Sequence, residues 1–151
     1  MPRPWDTGNL EQNWEGYFLP GTHVLRNRLG ACSTEVLRDA ENDFVEARVI
    51  ELRENPALLG ARTYDLAYLS AIHRQLFQDV YDWAGEYRTV EMSKGPGRGF
   101  GEVKTGEVDQ LLDDVRKRVA GTDWGRLDRD TFAERAATVF AYLNQAHPFR
   151  E

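Results

Sequence analysis

A histidine and a carboxylate stand four positions apart in the last five residues of the sequence, His147-Pro148-Phe149-Arg150-Glu151. Histidine is the usual general base near neutral pH. A carboxylate is a common ligand of Mg²⁺, which completes its shell with water and phosphates. Phe149 is apolar and can bury its ring to fix the loop. His147 and Glu151 together therefore suit the activation of a hydroxyl group beside Mg²⁺.

The histidine is expected at the C-terminal end of a helix, because a helical pattern precedes it and Pro148 cannot continue a helix. Asp130 can cap this helix, in which apolar residues recur every three to four positions from Phe132 to Leu143. The partial negative charge at a helix C-terminus favours a protonated imidazole at His147. The sequence therefore predicts a positioned, titratable base.

Three further segments have helical periodicity. The first begins after Ser33 or Thr34 and ends before Pro56. Thr63 can cap the second helix. The third is expected over about residues 107–121. These helices must form the body that holds the histidine in place.

Between the second and third helices the helical period is lost. Residues 88–92 predict a short strand, residues 93–99 have turn chemistry, and residues 100–103 predict a return strand. The expected fold class is mainly α, a helical bundle with a small β-hairpin flap. We expect two parts: an irregular N-terminal arm over residues 1–32 and the helical domain over residues 33–151.

Composition narrows the class of protein. The 151 residues carry a net charge of −6 and are 41% hydrophobic, which is typical of one globular domain and argues against a nucleic-acid binder. No apolar run approaches a membrane span, and the first residues lack the apolar stretch of a signal peptide. The single cysteine, Cys32, excludes an internal disulfide, so we expect a cytoplasmic protein.

One basic cluster stands out in this acidic sequence. It is either an ordinary solvated loop or a place where an anionic ligand or an acidic partner docks. Its members lie between residues 88 and 104 and are Arg88, Lys94, Arg98 and Lys104.

Three stretches of the sequence resemble the signatures of Fic-domain proteins. Residues 77–90, F-Q-D-V-Y-D-W-A-G-E-Y-R-T-V, are similar to the family pattern F-x-x-x-Y-x-W-A-G-x-x-R-T-V. Residues 93–95, S-K-G, with Phe100 downstream, are similar to the family's flap. Residues 147–151, H-P-F-R-E, match the first half of H-P-F-x-[D/E]-G-N-G-R. The resemblance covers about residues 34–151 and implies the mostly helical Fic fold.

The resemblance also implies a function, the transfer of AMP from ATP to a Ser, Thr or Tyr hydroxyl of a target protein. His147 would be the general base, Phe149 would anchor the loop in the core, and Glu151 would hold Mg²⁺ on the nucleotide's phosphates. An acidic residue at position 151 favours adenylylation over phosphorylation. The flap residues that would dock the target backbone by strand addition are Met92, Ser93, Lys94, Gly95 and Phe100.

The second half of the signature, G-N-G-R, does not follow Glu151 in these 151 residues. In the family, this half and the following helix supply groups that bind the phosphates. We therefore expect the bundle to lack that helix and the 151-residue polypeptide to be inactive. The alternative is a catalytically dead Fic-like module that binds a partner through the flap and an exposed apolar surface. The joint occurrence of two motifs disfavours a coincidental match.

Regulation is expected from outside residues 1–151. Many Fic proteins are silenced by a helix with the pattern [S/T]-x-x-x-E-[G/N]. Glu41-Asn42 and Glu54-Asn55 fit only its second half, because Leu37 and Ile50 stand at the Ser/Thr position. The resemblance therefore implies a separate antitoxin-like inhibitor, as in a toxin–antitoxin pair, or an inhibitory segment elsewhere.

Overall fold

The computed structural model describes residues 3–97 and 99–151. It is mainly helical, which confirms the expected fold class. Two short 3₁₀ turns, Pro56–Leu59 and Trp124–Arg126, accompany the α-helices. The α-helices in the described part of the chain are α1 (Leu10–Gly16), α2 (Thr34–Glu54), α3 (Leu66–Phe77), α4 (Glu107–Ala120) and α5 (Arg129–Ala146).

The chain forms two compact units. The first unit contains the described residues up to Thr63 together with Ala67–Thr89. The second contains Tyr64–Leu66 and Val90–Glu151, in which α4 packs against α5. All residues predicted for the site lie in the second unit. The division into an arm and a domain at residue 32 stays a prediction.

Capping explains where α2 begins, and a left-handed residue explains where α3 begins. The hydroxyl of Ser33 accepts the backbone N–H of Val36 at 3.2 Å, so α2 starts where the sequence predicts. The prediction that Thr63 caps α3 is wrong. Tyr64 has a left-handed backbone with φ of 53°, and a right-handed helix cannot pass through such a residue, so α3 begins only at Leu66.

Two further boundaries differ from the sequence prediction. Asp128, not Asp130, caps α5, because its carboxylate accepts the N–H of Thr131 at 2.9 Å. This hydrogen bond with Thr131 holds the pKa of Asp128 below its ordinary value. The segment 1–32 is not irregular throughout. Asn9 accepts the N–H groups of Glu11 and Gln12 and thereby starts the short helix α1.

The core of the first unit is aromatic. The ring of Trp83 stacks on Tyr81, with centroids 4.8 Å apart, and meets Tyr17 edge to face at 4.9 Å. Trp83 is 1% exposed and Tyr81 is 2% exposed. Both side chains are therefore core residues, whereas Tyr87 is half-buried.

The predicted flap is a loose turn in which the two predicted segments do not form regular strands. In the described part of the chain the flap, Met92–Phe100, shows one isolated antiparallel bridge, between Ser93 and Gly99. The N–H of Phe100 donates to the carbonyl of Met92 across the turn, but the next N–H, of Gly101, donates to the carbonyl of Gln145 in α5. The two carboxylate oxygens of Glu91 accept the N–H groups of Val103 and Lys104 at 2.9 and 3.0 Å.

Helical periodicity agrees with burial on α4, where Val108, Leu112 and Val115 are buried, but not on α2 or α5. Of the apolar residues that mark α2, Leu37 is buried, whereas Val36, Phe44 and Ile50 are exposed. On α5, Phe140 is 68% exposed. Across residues 3–97 and 99–151, each helix is either too short or too polar to cross a membrane.

Candidate active site at the C-terminal end of α5

His147 is the residue that ends α5. Its backbone N–H donates to the carbonyl of Leu143 at 3.0 Å, and its own dihedrals, φ 40° and ψ 64°, lie in the left-handed region. The helix therefore stops at His147, as predicted. The side chain leaves the helix beside the partial negative charge of its last carbonyls.

The backbone of His147 is strained. A left-handed conformation costs an L-residue about 1–2 kcal/mol, although histidine tolerates it better than most residues. His147 and Tyr64 are the residues other than glycine in the described ranges that adopt positive φ. Such strain clusters at functional sites, where the surrounding structure holds it in place. The outlier thus supports a functional role for this histidine.

The imidazole of His147 stacks on the ring of Phe100. The two ring centroids are 4.1 Å apart and the ring planes differ by 9°. Phe100 is the last residue of the flap and is half-buried. The structure thus brings together two residues that the sequence named for separate tasks, the proposed base and a proposed target-docking residue.

Gln145 joins the flap to the last turn of α5. Its backbone carbonyl accepts the N–H of Gly101 at 2.8 Å, and its side-chain amide donates to the carbonyl of Gly99 at 3.1 Å. Sequence reasoning missed this residue. Its position two residues before His147 was the only available signal, and a lone glutamine near a helix end does not indicate a role.

The exposed part of the flap is the turn Ser93–Gly97. Met92 is half-buried, and its carbonyl accepts the N–H of Phe100 at 3.1 Å. The predicted docking residues therefore divide into two groups. Ser93, Lys94 and Gly95 face solvent, whereas Met92 and Phe100 form the base of the turn.

Phe149 and Glu151 have different environments. Phe149 is buried, with 8% of its surface exposed. Glu151 is exposed. The described residues contain no group of three or more His, Cys, Asp or Glu side chains that could hold a metal ion by themselves. One exposed carboxylate still fits Mg²⁺, which often takes a single protein carboxylate and binds substrate phosphates as well.

The basic cluster is smaller than the sequence suggested. Arg88 is 3% exposed and so is a buried residue. Lys94 and Lys104 are exposed, and Arg98 lies outside the described residues. Glu91 accepts the backbone N–H groups of Val103 and Lys104. Among the described members of the cluster, the exposed positive charges are therefore those of Lys94 and Lys104.

The fold and the site define a mainly helical protein in which a buried H-P-F loop follows a helix and a short flap contacts the histidine. The chain belongs to the Fic/DOC family, whose family model matches residues 63–151. This confirms the resemblance found in the sequence.

Relatives and solved structures agree with this assignment. The chain is 35% identical over 136 residues to a probable protein adenylyltransferase Fic of Salmonella typhimurium and 33% identical to that of Escherichia coli, covering 89% of this chain in each case. It spans 64% of the length of these curated relatives.

Among solved structures, the N-terminal Fic domain of an effector protein from Bartonella sp. AR 15-3 superposes with a TM-score of 0.80 at 27% identity, covering 91% of this chain and 65% of that one. The BepC protein of Bartonella tribocorum, solved with bound AMPPNP, gives a TM-score of 0.76 at 28% identity, covering 91% of this chain and 70% of that one.

Proposed function

We propose that this chain carries the proton-accepting and target-docking part of a protein adenylyltransferase, which transfers AMP from ATP to a hydroxyl of a target protein. The observation that carries the proposal is His147 in a left-handed backbone at the end of α5, with its imidazole stacked on the flap. Relatives at 33–35% identity are named probable protein adenylyltransferases. The bound AMPPNP of one structural neighbour supports ATP as the nucleotide.

In the proposed reaction, His147 accepts the proton of the target hydroxyl. The hydroxyl oxygen then forms a bond to the α-phosphorus of ATP, while the bond from that phosphorus to the pyrophosphate oxygen breaks. A positioned base contributes about 10²–10⁴ to such a rate. In-line placement of the two reactants contributes further, because a bimolecular step becomes effectively unimolecular.

Phe149 and Glu151 support this step in different ways. The buried ring of Phe149 would hold the loop that carries the histidine. The exposed carboxylate of Glu151 would hold Mg²⁺ against the nucleotide's phosphates, where the ion, when bound, neutralises their negative charge. Both roles rest on the family resemblance and on the observed burial of each side chain.

The flap would dock the target. Its exposed turn, Ser93–Gly97, leaves backbone groups accessible, and an extended peptide can bind such groups by strand addition. The exposed ammonium group of Lys94 favours an acidic segment of the target. An inhibitor of this site would be a separate antitoxin-like chain or an inhibitory segment outside residues 1–151. We place the protein in a reducing cytoplasm, where the exposed thiol of Cys32 stays free.

The test is the transfer of label from α-³²P-ATP with Mg²⁺ to proteins of a bacterial lysate. Two polypeptides are compared, residues 1–151 and the same residues extended by Gly-Asn-Gly-Arg and a following helix. Each lost phosphate donor costs about 10²–10³ in rate, so we expect labelling by the extended form and at least a hundredfold less by the shorter one.

His147→Ala in the extended form should reduce labelling by about 10²–10⁴. The matched control is His23→Ala, because His23 is also a histidine but is exposed in the first unit and should not affect labelling. Equal labelling by the 151-residue polypeptide would show that the second half of the signature is dispensable. Absence of labelling in every folded form would favour the binding module.

A further inference from the structure

We infer that Phe100 is a positioning residue for the proposed base, and that Gln145 holds Phe100 in that role. The inference rests on the proposed function, in which His147 accepts the proton. It assigns the flap a second task besides target docking, since the flap would also fix the orientation of the imidazole.

The first step of the argument is the attachment of the flap to α5. The last carbonyls of a helix have no partner inside the helix. The carbonyl of Gln145 is one of these, and it accepts the N–H of Gly101. The side chain of the same residue donates to the carbonyl of Gly99. Both neighbours of Phe100 are thus bonded to one residue of α5.

The second step is the fixed backbone of Phe100 itself. Its N–H donates to the carbonyl of Met92 at 3.1 Å, across the base of the turn. Gly101 adds a steric constraint, because a Cβ at this position would lie 3.0 Å from Leu111 Cδ1, so the chain passes close to α4. Three consecutive residues, 99–101, therefore have defined positions relative to the helices of the second unit.

The third step is the ring contact. The χ2 torsion of histidine is broad, so a helix end that fixes the backbone of His147 does not by itself fix the plane of its imidazole. A parallel ring at 4.1 Å and 9° restricts that plane. A displacement of about 1 Å at a reacting group can cost about a hundredfold in rate. The stack therefore orients the nitrogen that must meet the target hydroxyl.

The test compares Phe100→Leu, which removes the ring, with Phe100→Tyr, which keeps it. In the extended polypeptide defined above, Phe100→Leu should lower kcat about 10- to 100-fold with the KM for ATP unchanged, and Phe100→Tyr should restore kcat to within about threefold. Lys94→Ala is the control for target docking. A higher lysate concentration should restore labelling by Lys94→Ala but not by Phe100→Leu.

A second readout does not require turnover. The ring of Phe100 should shift the ¹H resonances of the His147 imidazole upfield, and this shift should disappear in Phe100→Leu, remain in Phe100→Tyr and weaken in Gln145→Glu, which replaces the amide donor to Gly99. If the imidazole ¹H shifts are the same in Phe100→Leu and in the parent, His147 does not stack on Phe100. A lost shift with unchanged kcat would overturn the positioning role.

The two readouts also separate this inference from the proposed function. If the parent extended form transfers no AMP, both the proposed reaction and a positioning role in it are overturned. The imidazole shifts would then show whether the failure lies in the chemistry, with the stack intact, or in the stack itself.

Discussion

Trp83-Ala84-Gly85 and the exposed turn Ser93–Gly97 lie close together in the sequence, and both resemble Fic signatures, yet their environments are opposite. The first segment is buried, and the second faces solvent. A Cβ at Gly85 would lie 2.8 Å from both Arg74 Cβ and Ser70 O, whereas a Cβ at Gly95 would meet nothing within 4 Å.

This difference separates two uses of motif residues. The buried segment is held by packing and by a buried hydrogen bond, in which the N–H of Gly85 donates to Nδ1 of His73 at 2.8 Å. The exposed turn is accessible to solvent. We therefore expect substitutions in the first segment to reduce stability and substitutions in the second to affect labelling more than stability.

Removal of the indole ring of Trp83 should produce the largest loss of stability. Trp83→Ala should lower the free energy of unfolding by about 3–5 kcal/mol, because it deletes a fully buried ring that contacts Tyr81 and Tyr17. The measurement is urea unfolding followed by circular dichroism. Trp14→Ala is the control, because Trp14 is 39% exposed, and its cost should stay below about 1 kcal/mol. Equal losses for the two variants would contradict the assignment of the core.

Replacement of Gly85 and Gly95 by alanine should give the next largest difference in stability between the two regions. Gly85→Ala should lower the free energy of unfolding by about 2–4 kcal/mol, because the new Cβ would be on a left-handed backbone and would also make two close contacts. Gly95→Ala should cost about 1 kcal/mol, because its φ of 80° is equally unfavourable but the space around it is open. Thermal unfolding of both variants measures the difference. A larger loss of stability for Gly95→Ala than for Gly85→Ala would contradict the difference in packing between the two regions.

In the first unit, we expect Asp79 to make a pH-dependent contribution to stability. Asp79 accepts two hydrogen bonds from the guanidinium of Arg48, at 2.6 and 2.9 Å, and this contact holds the pKa of Asp79 below its ordinary value. A lowered folded-state pKa means that the stabilisation is present above about pH 4 and disappears as the pH falls through the folded-state value.

Asp79→Asn should therefore cost about 1 kcal/mol at pH 7 and less near pH 3, as measured by urea unfolding at both values. Asp82→Asn is the matched control, because Asp82 is exposed and its nearest ion-pair distance, to Arg28, is 3.8 Å. A constant cost of Asp79→Asn across this pH range would show that the ion pair does not stabilise the fold.

Several features could be predicted from the sequence because they depend on local chemistry. Ser33 caps α2, and His147 ends α5 before Pro148, since capping oxygens and proline act on the nearest backbone groups. The exposed turn around Gly95 follows from its composition. The H-P-F loop and the W-A-G segment indicated the family for the same reason, because each is a short run of fixed residue types.

Other features could not be predicted, because they depend on contacts between residues distant in sequence. The carboxylate of Glu91 accepts the N–H groups of Val103 and Lys104, and the described part of the flap shows one isolated bridge between Ser93 and Gly99. Phe44 and Ile50 have the spacing of a buried stripe but remain exposed. Periodicity shows that a helix has an apolar face, whereas burial requires another element to cover that face.

The sequence by itself determined the mainly helical class, the family and the identity of the proposed base, because each is encoded in local patterns of residue type. Only the tertiary structure placed Phe100 against the imidazole of His147 and bonded Gln145 to both neighbours of Phe100. Those contacts join residues more than forty positions apart, at Gly99 and Gln145. Their geometry is set by how the flap meets the end of α5, and no local pattern of residues specifies it.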